Sequence, residues 1–149
     1  MPIVQNFDRS MIETHLRRRA LQFLTDSDGD FVAQFRYDEE IGGELTVQYM
    51  AEGSQNEIYT LRVRSSRTIP KNSWGRAIMS CNTWNKERRW PKAYLYVRDS
   101  MTDSSGEIIL EEQIDLEKGV HQELLDDFTE TVEGTAFAFW KWAYKEQGL

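Results

Sequence analysis

Phe137-Ala138-Phe139-Trp140-Lys141-Trp142-Ala143-Tyr144 puts five aromatic side chains into eight residues, near the end of what reads as one long C-terminal helix from about Val120 to Lys145. At about 100° per residue, Leu124, Phe128, Val132, Ala136, Phe139, Trp142 and Ala143 fall on one broad face. Phe137, Trp140 and Tyr144, at i, i+3 and i+7, fall on the other side, where a soluble monomer normally carries charge. One face suffices for a domain core, so the second reads as a partner-binding surface for a protein client or a second copy of the chain. Two other readings compete with it. The aromatics line a pocket between sheet and helices, as in a small-molecule-sensing domain, or a kink at Gly134 folds the helix end back and makes them core.

Upstream of this helix the sequence spells a sheet. Ile58 to Arg64 and Leu45 to Tyr49 alternate apolar with polar residues, which buries one sheet face and leaves the other polar. Before them, Leu21 to Thr25 and Phe31 to Tyr37 flank Asp26-Ser27-Asp28-Gly29-Asp30, a turn that makes a hairpin of the two. A first helix near Asp8 to Ala20 has Ser10-x-x-Glu13 at capping-box spacing and a stripe of Ile12, Leu16 and Ala20. After Pro70, Trp74, Ala77, Ile78, Cys81, Trp84 and Arg88 recur at helical spacing until Trp90-Pro91, where the residue before proline avoids helical geometry. Strands at Ala93 to Arg98 and Ile108 to Leu116 complete the order α-β-β-β-β-α-β-β-α, an α+β fold with an antiparallel sheet flanked by helices. The expected core is Ile12, Leu16, Phe31, Phe35, Leu45, Val47, Leu61, Val63, Trp74, Ile78, Cys81, Leu95, Val97, Ile114, Leu116, Leu124, Phe128 and Val132.

The chain has 149 residues, which fits a single domain, residues 1–149, large enough to bury a core without disulfide or metal staples. A net charge of −7 repels phosphate backbones and anionic lipid heads, so neither nucleic acid nor membrane is an expected partner. Arg17-Arg18-Arg19, Arg36, Arg62 and Arg64 read as solvated charge on exposed faces. No apolar run approaches the roughly 18 residues that cross a bilayer, the N-terminal residues carry no signal-peptide pattern, and the single cysteine forms no internal disulfide. The expected location is cytoplasmic.

No constellation in the chain carries recognisable catalysis. Counted from Asp26, the glycine is fourth and the twelfth residue is Tyr37, whereas an EF-hand wants glycine sixth and glutamate twelfth. With only Cys81, His15 and His121 available, a structural zinc site cannot be assembled within one chain. Cys81 lies in the apolar stripe of the middle helix and reads as core, while His15 and His121 read as surface or boundary residues. Glu111-Glu112 and Asp126-Asp127 are adjacent acids in a chain with 25 of them, which says little. Neither a phosphate-cradling glycine loop nor G-x-S-x-G occurs. The expectation is a protein that is not an enzyme, with no catalytic residue, no cofactor and no metal.

Three stretches taken together resemble the bacterial YbjN-domain family: the turn at Asp28-Gly29-Asp30, the segment Asn82-Thr83-Trp84-Asn85-Lys86-Glu87-Arg88-Arg89-Trp90-Pro91-Lys92-Ala93-Tyr94, and Ile114-Asp115-Leu116-Glu117-Lys118-Gly119-Val120. The resemblance covers most of the chain. It implies an α+β fold like that of type III secretion chaperones, with a curved antiparallel sheet, and a role in sensory transduction as a chaperone-like or regulatory module. Such chaperones are typically homodimers that hold a partner polypeptide, so a homodimer or a protein client is implied. The family brings no catalytic or ligand residues to carry over.

Overall fold

The computed structural model describes residues 3–149. Helix α1 (Arg9–Arg18) begins where Asp8 Oδ1 accepts from Ser10 N at 2.9 Å and from Met11 N at 3.3 Å. A side-chain oxygen just before the first turn satisfies helix N–H groups that have no partner of their own. Among the described residues seven strands follow in one antiparallel sheet: β1 (Leu24–Thr25), β2 (Phe31–Asp38), β3 (Gly43–Glu52), β4 (Ile58–Ser65), β5 (Ile69–Pro70), β6 (Lys92–Tyr96) and β7 (Ser105–Asp115). Helix α2 (Trp74–Glu87) stands between β5 and β6, and α3 (Gln122–Lys145) closes the chain. The sheet runs β1-β2-β3-β4-β7, with β6 on the far side of β7 and β5 extending the line of β4 along it. Among the described residues the expected order is thus observed with two short additions, β5 and a 3-10 turn at Lys71–Ser73, both too short for any periodicity to announce.

The turn at Asp26 to Asp30 makes the expected hairpin, pairing Leu24 with Val32 and Thr25 with Phe31. Asp26 Oδ1 accepts from the backbone N–H of Asp28 at 2.9 Å and of Asp30 at 3.0 Å, and Gly29 supplies a φ of +86° that other residues resist. The three carboxylates have oxygens within 4.8 Å of one another, but Asp30 Oδ1 is already held by Arg9 Nε at 2.9 Å and by Ala51 N at 3.0 Å. This cluster ties the hairpin to α1 and β3. Asn85 at the end of α2 brackets β6, donating to Ala93 O at 3.0 Å and accepting from Ala93 N at 2.9 Å. That exchange occupies part of a sheet edge that would otherwise be open to pairing.

One face of the sheet carries the core: Phe31, Ala33, Leu45, Val47, Tyr49, Tyr59, Leu61, Val63, Ile108 and Leu110 are buried there beneath α1 and α3. Four expectations need correction, and one is Val97, which lies beyond the end of β6 and outside the core cluster. Ile78 is 55% exposed and Leu124 is 45% exposed; Leu125 takes the buried position instead. The buried stripe of α3 is Leu125, Thr129, Val132, Ala136, Phe139, Trp140 and Ala143, a sequence of i+4 and i+3 steps that Leu124 does not join. His15, expected at the surface, is buried, with its Nδ1 2.9 Å from Asp126 Oδ1 on α3. It joins the two helices. His121 does sit at the start of α3, where its Nδ1 accepts from Leu124 N at 3.0 Å as the helix cap.

Cys81 is buried on α2 as expected, and burial pushes its thiol up to about 12. The thiol is therefore held in its unreactive form. Native protein should react slowly with a thiol reagent and unfolded protein quickly, and Cys81→Ser should cost about 1–3 kcal/mol by burying a more polar group. Rapid labelling of the native chain with unchanged stability would remove Cys81 from the core.

Candidate functional site

The aromatic end of α3 is not a face left to water. Trp140 is 0% exposed, edge-on to Phe139 with ring centroids 5.5 Å apart. Tyr144 lies against the β2–β3 turn: a Cβ on Gly42 would stand 2.6 Å from its Cζ, and the Arg67 guanidinium covers its ring at 4.3 Å. Phe137 is half-buried. The expected water-facing patch of Phe137, Trp140 and Tyr144 is corrected accordingly. The physical reason is that α3 lies in a trough, with the sheet beneath it, α2 on one flank and the β2–β3 turn on the other. A helix held on three sides buries an arc far wider than one stripe. α3 runs as one helix from Gln122 to Lys145, through Gly134.

The trough is incompletely filled along one side of α3. A groove of about 670 Å³ opens between α3 and the inner face of β2 and β3. Its apolar lining comes from Phe35, Ile41, Leu45, Val47, Val63 and Phe137; its charged rim comes from Arg19, Arg36, Asp38, Glu130 and Glu133. Of the three aromatic residues expected to bind a partner, only Phe137 reaches it.

Local sequence explains why the space exists. The β2–β3 pairing slips between Phe35 and Asp38, so Arg36 and Tyr37, both beside the groove, leave the regular register. The turn then returns: Gly42 takes φ +64°, its N–H bonds Asp38 O at 2.9 Å, and Ile41 is driven into the core. Glu40 in this turn fastens to Lys145 at 3.1 Å and Lys141 at 3.2 Å on α3. Hydrogen bonding from Lys145, then Lys141, holds its carboxyl below the usual range. On the helix side Gly134 lines the groove, and a Cβ added there would meet nothing within 4 Å. A glycine in mid-helix costs about 1 kcal/mol relative to alanine; here its missing side chain keeps the groove open.

The polar wall is built by α1 meeting α3. Arg19, just beyond the last turn of α1, donates from Nη1 to Glu130 Oε1 at 3.1 Å and stands 3.7 Å from Glu133 Oε1. Glu133 Oε2 accepts from the Tyr49 hydroxyl at 2.5 Å. Its Oε1 is buried and has no hydrogen-bond partner among the described residues. Burial raises the Glu133 pKa more than the Tyr49 hydrogen bond and the Arg19 charge lower it. An acid that titrates late, beside a cation, gives the polar wall of the groove a charge that varies with pH. Sequence reading missed Glu133, because one more acid on a helix of an acidic chain has no distinguishing mark; its burial depends on the curvature that brings Tyr49 beneath it.

The comparisons bear on fold and family. A search of curated proteins found no match. The structure is similar to the crystal structure of YbjN from E. coli, described there as "a putative transcription regulator", with a TM-score of 0.77, 10% sequence identity and 97% of each chain covered. At that identity the likeness speaks for the fold alone. The sequence itself matches the YbjN family model, described as "Putative bacterial sensory transduction regulator", over residues 8–143. With the α+β architecture in place and the family's pattern running through nearly the whole chain, this protein belongs to the YbjN family.

Proposed function

We propose that this chain is a non-enzymatic regulatory binding module that takes an amphipathic small molecule into the groove beside α3. The observation that carries this reading is the groove's construction: an apolar floor, an open helix position at Gly134, and a charged wall of Arg19, Glu130 and Glu133. Ligand sites are concave and mostly apolar, with a few placed polar groups that fix orientation. The lining holds no nucleophile paired with a base, which favours binding over turnover. A client or a second copy meeting this part of α3 would touch Phe137 and Tyr144, which are half-buried, and not Trp140, which lies inside the chain.

The test uses Gly134→Leu. The substitution places an aliphatic side chain in the groove without touching the core, and replacing a mid-helix glycine by a strong helix former should raise stability by about 0.5–1 kcal/mol. With 1-anilinonaphthalene-8-sulfonate as probe, the wild-type chain should show saturable fluorescence enhancement, and Gly134→Leu should lose it while melting at a higher temperature. Equal enhancement by both proteins would place probe binding elsewhere and refute the groove.

A further inference from the structure

The chain's positive charge is unevenly spent. Outside residues 71–92, most cations are matched: Arg9 with Asp30, Arg17 with Glu13, Arg18 with Asp126, Arg62 with Glu111, and both α3 lysines with Glu40. Within that stretch six cations accompany a single acid, Glu87. Of the six, Lys71, Arg76, Lys86, Arg88 and Arg89 have no ion pair among the described residues; Lys92 alone reaches an acid, Glu111, at 3.8 Å. In a chain of 25 acidic residues, a run of unpaired cations along one helix and its C-terminal turn is a local reversal of field.

The same stretch exposes apolar side chains. On α2, Met79 is 65% exposed and Ile78 is 55% exposed, and Trp90 follows just beyond the helix at 40%. Met79 and Lys86, seven residues apart, stand along one outer stripe opposite the buried Ala77, Cys81 and Trp84, with Arg76 at its edge beside Gly148. The corrected position of Ile78 thus becomes informative: α2 has an apolar crest between positive ends.

We propose that the outer face of α2, from Arg76 to Trp90, docks an acidic polypeptide segment carrying apolar anchors. Charge complementarity selects acid, because the face is basic while the remainder of the chain is acidic. The apolar crest selects polypeptide. Methionine, tryptophan and arginine are enriched at protein interface cores, whereas a phosphate backbone offers Met79 and Ile78 nothing to pack against. Long polyanions would also run beyond the face onto acidic surface, within the Debye length of about 8 Å at physiological salt. At about 1.5 Å per residue, the 14 residues of α2 suit a partner helix of similar length or a shorter extended segment.

The experiment measures anisotropy of a labelled synthetic peptide that alternates glutamate pairs with leucine and phenylalanine, against its counterpart with glutamine for glutamate. The full chain is compared with Lys86→Glu/Arg89→Glu, with Met79→Ser, and with Gly134→Leu, each checked for a cooperative melt. The acidic peptide should bind at least about tenfold more tightly than the glutamine peptide, and added salt should weaken it. Lys86→Glu/Arg89→Glu and Met79→Ser should each weaken it, while Gly134→Leu leaves it unchanged, so this surface and the groove stand or fall separately. Absence of binding, or equal affinity for both peptides, overturns the proposal. So does tighter binding of duplex DNA or of phosphatidylglycerol vesicles that the same variants abolish, or salt-sensitive self-association in place of peptide binding.

Discussion

Trp140→Ala should destabilise the protein by about 3–5 kcal/mol, the cost of emptying a large aromatic site in a packed core. Trp140 is fully enclosed and meets Phe139 edge-on, and Phe139 in turn packs on Trp84 and Trp142 with centroids 5.1 and 5.8 Å away. The cavity would open beside Phe139, the ring that joins Trp140 to Trp84 of α2 and to Trp142. Trp140→Phe should cost much less, since it also removes an indole N–H that is buried without a hydrogen-bond partner among the described residues. Urea denaturation of both variants decides the point. Small, equal losses with altered self-association would restore the external aromatic surface that the residue spacing suggested.

Glu111→Ala should cost about 2–3 kcal/mol, because Glu111 is buried on the polar face of the sheet and its removal leaves Arg62 unpaired. Arg62 retains some access to water, which keeps the loss at the low end for a broken pair. Burial would raise the Glu111 pKa, but hydrogen bonds from Arg62 and Tyr94, both 3.0 Å, outweigh it and hold the carboxyl low. Its contribution is therefore complete above the unfolded carboxylate range and is lost as pH falls through the depressed folded value. Glu133 has the opposite sign. Its folded pKa is raised, so its contribution is present below the ordinary value of 4.5 and is lost as pH rises through the raised one. Stability measured against pH should lose part of its acid-side fall in Glu111→Ala and part of its decline above the carboxylate range in Glu133→Gln. Parallel curves for wild type and Glu133→Gln would mean that Glu133 titrates as a solvated acid and is no part of a buried wall.

Much of this architecture is legible in the residues. Alternation in Leu45 to Tyr49 and in Ile58 to Arg64 fixes which side of the sheet is buried, and the Asp26–Asp30 turn and the Trp90-Pro91 break mark element ends. These signals are local, carried by side-chain period and backbone restriction. The path of α3 is not local. Whether Tyr144 meets water depends on the turn at Ile41 and Gly42, about a hundred residues earlier in sequence, and Trp140 is enclosed by packing that helical phase does not record. Helical phase alone therefore put Leu124 inside and Trp140 outside, and the structure reverses both. The groove is harder still to foresee, because its lining comes from β2, β3, β4 and α3, which meet only in the folded chain, beside a register slip between Phe35 and Asp38.

The central claim is that the groove between α3 and the β2–β3 corner is where this regulatory module takes its ligand. Backbone amide shifts followed by NMR during titration with 1-anilinonaphthalene-8-sulfonate test it most directly. The account predicts perturbations concentrated at Phe35, Ile41, Glu133, Gly134 and Phe137 that vanish in Gly134→Leu; perturbations centred on α2, or spread without a focus and persisting in that variant, would contradict it.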